Sequence, residues 1–171
     1  MNGDGLDDLY VCEGGGLPNR LYLQDENGRL RDVSAESGTN WLEHTAAALL
    51  VDLDNDADQD LVLATVQLII FMENNGAGRF ALRGGFPGVS EARSMSAADY
   101  DNDGDLDIYV CAYDASTESG LGGGGVTSGV PLPYNDANNG GRNVLLSNDG
   151  DFGFTDATSQ TGLDNNNTRY S

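Results

Sequence analysis

Three times along the chain a run of alternating acidic residues gives way, without a spacer, to a short apolar run: NGDGLDDLYVC from Asn2, DLDNDADQDLVLA from Asp52 and DYDNDGDLDIYVC from Asp99. A second apolar run follows each time (RLYLQ, LIIFM, NVLLS), then a polar turn (DENG, ENNGAG, SNDGDFG) and a third run (RLRDVS, RFALR, FTDATS). Small-residue runs, TAAALLVD and SMSAAD, precede the second and third acidic stretches. Short segments of this kind, bounded by Gly, Asn and Asp, predict strands, about four to each period. Helical periodicity is absent from the pattern. Asp52 and Asp99 stand 47 residues apart, and four-stranded antiparallel units repeated at roughly 40 to 50 residues are blades of a β-propeller. The expected fold class is therefore all-β, with about three blades of an incomplete propeller. The blades are expected over residues 1–45, 46–92 and 93–171.

The ends of the chain fit the same frame. Aligned on the other copies, Asn2 takes the third position of a nine-residue acidic pattern, and Met1 stands where they carry Leu53 and Tyr100. The chain is thus expected to begin inside a repeat, and to stop at TSQTGLDNNNTRYS, where a small-residue strand and a fourth acidic loop would come next. Propellers close with about four to eight blades, so an excerpt is expected to expose two sheet faces. One irregularity interrupts the third blade: Cys111 to Asn143 spans 32 residues where Cys12 to Asn19 spans 7. The insert over 112–142 is rich in Gly and Ser, the composition of a surface loop, and Tyr113 or Tyr134 in it is a candidate for ligand contact.

Charge sharpens the picture. With 28 acidic and 8 basic residues the net charge is −20, which repels nucleic acid and anionic lipid and attracts cations. Regular apolar clusters, in a chain that is 39% hydrophobic, argue against disorder. No apolar run is long enough to span a membrane and no secretory signal pattern is present within these residues, so membrane insertion of this chain is not expected. Cys12 and Cys111 follow equivalent apolar runs and read as small buried residues rather than as a disulfide or a zinc site.

The acidic loops carry the chemistry. Asp99, Asp101, Asp103 and Asp107 occupy positions 1, 3, 5 and 9 of the third copy, with Gly104 at position 6. Together with Asp105 these carboxylates repel one another unless a hard cation neutralises them. Calcium accepts six to eight oxygens at about 2.3 to 2.6 Å, and alternating acids around a Gly bend can wrap it; magnesium demands a stricter octahedron. An EF-hand begins similarly but needs a bidentate Glu at position 12 and flanking helices. Position 12 is Val11, Leu63 or Val110, each inside a β-type run. The loop therefore reads as a calcium-clamped hairpin connection. Position 7 is Leu6, Asp58 or Asp105; Leu offers only its carbonyl, so that oxygen is read as the ligand in all three copies. Loop two carries Ala57 where Gly eases a positive φ and is expected to bind more weakly, while loop one lacks its first ligand.

The pattern D-x-D-x-D-G-x-x-D before an apolar triplet resembles FG-GAP or VCBS-type repeats, the calcium-bearing blades of integrin alpha subunits. PNRLYLQDENGRLRDVSAESG and RNVLLSNDGDFGFTDATSQTG are similar to the repeats of cartilage acidic protein-like proteins that often end in an ASPIC/UnbV domain. The resemblance covers nearly the whole chain outside the insert. It implies side-chain ligands at Asn2, Asp4 and Asp8, at Asp52, Asp54, Asp56 and Asp60, and at Asp99, Asp101, Asp103 and Asp107, with carbonyl ligands at Leu6, Asp58 and Asp105.

Catalytic signals are weak. His44 is the single histidine, no GxSxG elbow accompanies it, and GLGGGG lacks the lysine and the strand–helix context of a phosphate loop. Trp41 and Tyr22 read as packing residues, and Asn166-Asn167-Thr168 is a glycosylation sequon in an Asn-rich stretch. The expected function is that of a calcium-stabilised binding or adhesion module of an extracellular or cell-surface protein, with an unidentified protein or carbohydrate ligand and no catalysis of its own. Loop sites that need calcium at about 10⁻⁴–10⁻³ M suit extracellular modules. The alternative is the non-catalytic propeller part of a secreted polysaccharide lyase or hydrolase.

Overall fold

A computed structural model describes residues 1–89, 91–113 and 140–165. Three antiparallel sheets follow one another along the chain. The first holds β1 (Leu9–Val11), β2 (Arg20–Gln24) and β3 (Leu30–Asp32). The second holds β4 (Thr45–Val51), β5 (Asp60–Thr65), β6 (Leu68–Asn74) and β7 (Phe80–Pro87). The third holds β8 (Ala92–Ala98), β9 (Asp107–Ala112), β10 (Val144–Asn148) and β11 (Phe154–Asp156). Spatial order equals chain order in every sheet, as expected of propeller blades joined by hairpins. The acidic loops join β4 to β5 and β8 to β9, where the pairs Val51↔Asp60 and Ala98↔Asp107 close the ladders.

Strand alternation supplies the core. In β5 every residue is buried, and the two faces go to different neighbours. Leu61 and Leu63 pack with Leu21, Val33, Ile70, Met72 and Phe80 between the first and second sheets. Val62 and Ala64 pack with Leu53, Phe71, Ile108, Val110 and Leu146 between the second and third. Phe71 stacks on Phe154 with ring centroids 4.0 Å apart. The same register positions build both interfaces, which is the structural meaning of the repeat. The outer faces differ: Leu9 and Leu30 on the first sheet are 46% and 51% exposed, and Tyr100 beside the third is 39% exposed.

Two features depart from the sequence pattern. A single helical turn, α1 (Ser34–Ser37), follows β3 and is closed by Gly38 at φ 81°, whose N–H donates to the Ser34 carbonyl. A Cβ there would stand 2.9 Å from the Phe80 carbonyl, so glycine meets both demands. Strand β7 also runs past RFALR through Gly84, Gly85 and Pro87. It lies at the edge of its sheet, where a proline costs no ladder bond.

The matched segments DVS and DAT act as equivalent clasps. Asp32 Oδ1 accepts from the Ser34 N–H, Ser34 Oγ accepts from the Leu21 N–H, and Arg20 pairs with Asp32. Asp156, Thr158, Leu145 and Arg142 repeat the arrangement in the third sheet. The bonds from Arg142 and Thr158 outweigh desolvation and hold the Asp156 carboxyl down at about 2. Cys12 and Cys111 are free and half-buried, and burial pushes the Cys12 thiol up. Tyr134, most of the insert and the sequon lie outside the described residues.

Candidate metal centre

Each acidic loop is a chain of Asx turns. Position 3 accepts from the N–H of position 5: Asn2 from Asp4, Asp54 from Asp56 and Asp101 from Asp103. Position 5 accepts in turn from position 7: Asp4 from Leu6, Asp56 from Asp58 and Asp103 from Asp105, at 2.8 to 2.9 Å. Position 1 reaches across the bend, Asp52 Oδ2 to the Ala57 N–H at 3.0 Å and Asp99 Oδ2 to the Gly104 N–H at 3.2 Å. Side chains that bond their own backbone favour tight loops over continued strand.

The bend needs positive φ twice. At position 6, Gly5, Ala57 and Gly104 lie at φ 79°, 74° and 99°. At position 4, Gly3, Asn55 and Asn102 lie at 73°, 62° and 62°. The restriction of position 4 to Gly or Asn was the available signal, since these residues tolerate the left-handed region. Ala57 does not, so Ala57→Gly is expected to stabilise the protein by about 1 kcal/mol. Urea unfolding of the two proteins measures this, and an unchanged midpoint contradicts it.

Positions 1, 3 and 9 converge. One oxygen each from Asp52, Asp54 and Asp60, and likewise from Asp99, Asp101 and Asp107, lie within 4.8 Å of one another. Asp56 and Asp103 at position 5 lie outside these clusters. In the first loop Asn2 Nδ2 donates to Asp4 Oδ2 at 2.8 Å. The position-7 side chains turn elsewhere. A Cβ on Gly76 would collide with the Asp58 carboxylate, and Asp105 Oδ1 accepts from Asn55 Nδ2 at 2.7 Å.

The electrostatics leave these carboxylates undercompensated. Burial pushes Asp60 up to about 6 against the pull of the N–H groups of Asn74 and Leu53. Burial, with the charges of Asp56, Glu73 and Asp52, also raises Asp54. Desolvation and then the charge of Asp103 raise Asp101. Asp52 Oδ1 is buried without a hydrogen-bond partner among the described residues. An orphaned carboxylate oxygen beside two more acids is a donor set suited to a hard cation.

Position 9 does more than its spacing suggests. Asp60 is fully buried, and Asp107 is 1% exposed. Asp60 Oδ2 accepts from the Leu53 N–H at 2.9 Å and Oδ1 from the Asn74 N–H at 2.8 Å. Asp107 does the same with Tyr100 and Asn148, at 2.9 and 3.0 Å. Asp8 accepts from the Gln24 N–H at 3.0 Å and pairs with the Met1 ammonium at 3.1 Å. These aspartates are struts between the loop and the end of the second-run strand, β2, β6 or β10. The signal in the sequence was the amide side chain, Gln24, Asn74 or Asn148, at the end of that strand.

The candidates for other roles are engaged in packing or stand alone. Trp41 Nε1 donates to the Met72 sulfur at 3.1 Å. His44 is exposed just ahead of β4, against the Gly14–Gly15 turn.

Cartilage acidic protein 1 of Xenopus tropicalis is 28% identical over 105 residues, which cover 57% of this chain and 16% of that protein's length. The family model of the FG-GAP-like repeat matches residues 1–63 and again residues 52–110, each match spanning two of the acidic loops. The chain belongs to the family of FG-GAP-like repeats.

Proposed function

We propose that this chain is a calcium-stabilised set of β-propeller blades serving as a non-catalytic binding or adhesion module in an extracellular or cell-surface protein. The observation that carries the calcium reading is the convergence of Asp52, Asp54 and Asp60, and of Asp99, Asp101 and Asp107, with the buried Asp52 Oδ1 left unpartnered. FG-GAP-like repeats generally act as binding or structural modules and are typical of extracellular proteins, which supports the setting. Among the described residues no helix is long and apolar enough to cross a membrane.

In this reading the blades are 1–45, 46–92 and 93–171. Asp52, Asp54, Asp56 and Asp60 hold one ion with the Asp58 carbonyl, and Asp99, Asp101, Asp103 and Asp107 hold another with the Asp105 carbonyl. Asn2, Asp4, Asp8 and the Leu6 carbonyl supply a third, partial set. The ion contributes charge compensation that the loop lacks alone, fixing the hairpin between the first two strands of a blade. Partner contact, to a protein or carbohydrate, falls to the surface loops.

Thermal unfolding in millimolar calcium, in EDTA and in magnesium tests this. With calcium about tenfold above a dissociation constant of about 10⁻⁴ M, each occupied loop adds about 1.4 kcal/mol. That amounts to a rise of roughly 3 to 6 °C per loop for a domain of this size. Equal midpoints in calcium and EDTA overturn the proposal.

A further inference from the structure

The acidic loops are joined by a hydrogen-bonded chain that runs through the blade interfaces. Asn148 Nδ2 donates to the Leu53 carbonyl in the preceding loop at 2.9 Å and to the Leu106 carbonyl in its own loop at 3.4 Å. Asn74 Nδ2 repeats this one blade earlier, donating to the Met1 carbonyl at 2.8 Å and the Gln59 carbonyl at 3.0 Å. The backbone N–H of each asparagine is meanwhile held by the position-9 carboxylate of its own blade, Asp107 or Asp60. Leu53 therefore has its N–H on Asp60 and its carbonyl on Asn148. The path from Asp60 to Asp107 is continuous through that one residue and that one side chain. Leu53, Asp60 and Asn148 are fully buried, and Asp107 nearly so. At the surface, Asn55 Nδ2 makes a second crossing, to Asp105 Oδ1 at 2.7 Å and the Gly104 carbonyl at 3.4 Å.

Leu53 lies between Asp52 and Asp54, two of the three converging acids of loop two. Any shift of those carboxylates toward an ion moves its peptide groups, and the peptide carbonyl is tethered to the residue that orients Asp107 in loop three. Buried hydrogen-bonded groups have few alternative partners, so a displacement at one end is transmitted rather than absorbed by water. We propose that Asn148, with Asn55 at the surface, is a positioning residue that couples cation binding at loops two and three, so that filling one loop raises the affinity of the other. Asn74 stands in the same relation to loops one and two. The inference rests on the calcium reading of the loops.

The test uses the full chain and calcium alone, followed by titration calorimetry. Asp101→Asn disables loop three, and the affinity of loop two is measured with loop three intact or disabled. Coupling free energies between sites commonly correspond to about 5-fold to 150-fold in affinity. Disabling loop three is expected to weaken loop two at least about fivefold in the parent, and by less than about twofold in the Asn148→Leu background. A purely structural role for Asn148 lowers the unfolding midpoint but leaves this ratio unchanged, and an unchanged ratio overturns the inference. So does stoichiometric binding at both loops with no drop in the parent. If Asn148→Leu fails to fold, the exposed Asn55→Ala decides: its ratio must fall below that of the parent. Absence of binding at either loop overturns the calcium reading as well, which separates the two failures.

Discussion

Asp60→Ala is expected to destabilise the calcium-free protein by about 3 kcal/mol, although calcium is absent from the comparison. The Asp60 carboxylate accepts from the N–H groups of Leu53 and Asn74 in a fully buried setting. Alanine leaves both donors without an acceptor, and each such loss costs about 1 to 3 kcal/mol. Relief of the carboxylate's own desolvation, visible in its elevation to about 6, offsets part of this. Asp56→Ala is the control. Asp56 is exposed and accepts from the Asp58 N–H at the surface, so its loss in EDTA is expected to stay within about 1 kcal/mol. Both substitutions are expected to reduce the stabilisation by calcium. Urea unfolding of the three proteins in EDTA and in calcium separates strut from ligand. Equal losses in EDTA for Asp56→Ala and Asp60→Ala contradict the strut.

Phe71→Ala is expected to cost about 4 kcal/mol, within the range of large-to-small changes at buried aromatic positions. Phe71 is 2% exposed, and it packs across the interface with Leu53, Val110 and Leu146 and stacks on Phe154 of the third sheet. Substitution removes the burial of the ring and the stack together. Leu30→Ala, at a position 51% exposed on the outer face of the first sheet, is expected to change stability by no more than about 0.5 kcal/mol. Chemical denaturation monitored by circular dichroism reads both. A Phe71→Ala loss below 1 kcal/mol contradicts a packed interface between the second and third sheets.

Much of the architecture was legible because the two patterns that matter are short. The continuous apolar run in DLVLAT and the acids two apart in DNDGD each lie within a few residues, and the repetition of both gives the blade. The left-handed bend at position 6 was legible from Gly5 and Gly104, and its return at Ala57 follows from the same backbone path. What escaped depends on partners far apart in sequence. Asp107 meets the Asn148 N–H across an insertion, and no local pattern joins them. The turn Ser34–Ser37 escaped because four residues are too few for a helical period. The end of β7 escaped because glycines and a proline read as breakers unless the strand is known to lie at an edge. The second role of position 9 escaped because an aspartate's spacing does not say which N–H groups will reach it.

The identity of spatial order and chain order in all three sheets bears on how the molecule is assembled. Within each sheet, every strand after the first pairs with the one before it, so most ladders close over short loops at small entropic cost. The third sheet is the exception, because β9 must find β10 across the insertion between Ala112 and Val144. In a chain whose units contact only their neighbours, order can start in any unit and spread to the next. The second sheet is the favoured origin, since its loops are short and β5 presents an apolar row to each side. The third sheet then condenses on a template already formed. A longer or shorter insertion accordingly changes the rate at which that last sheet joins more than it changes the packing it joins to.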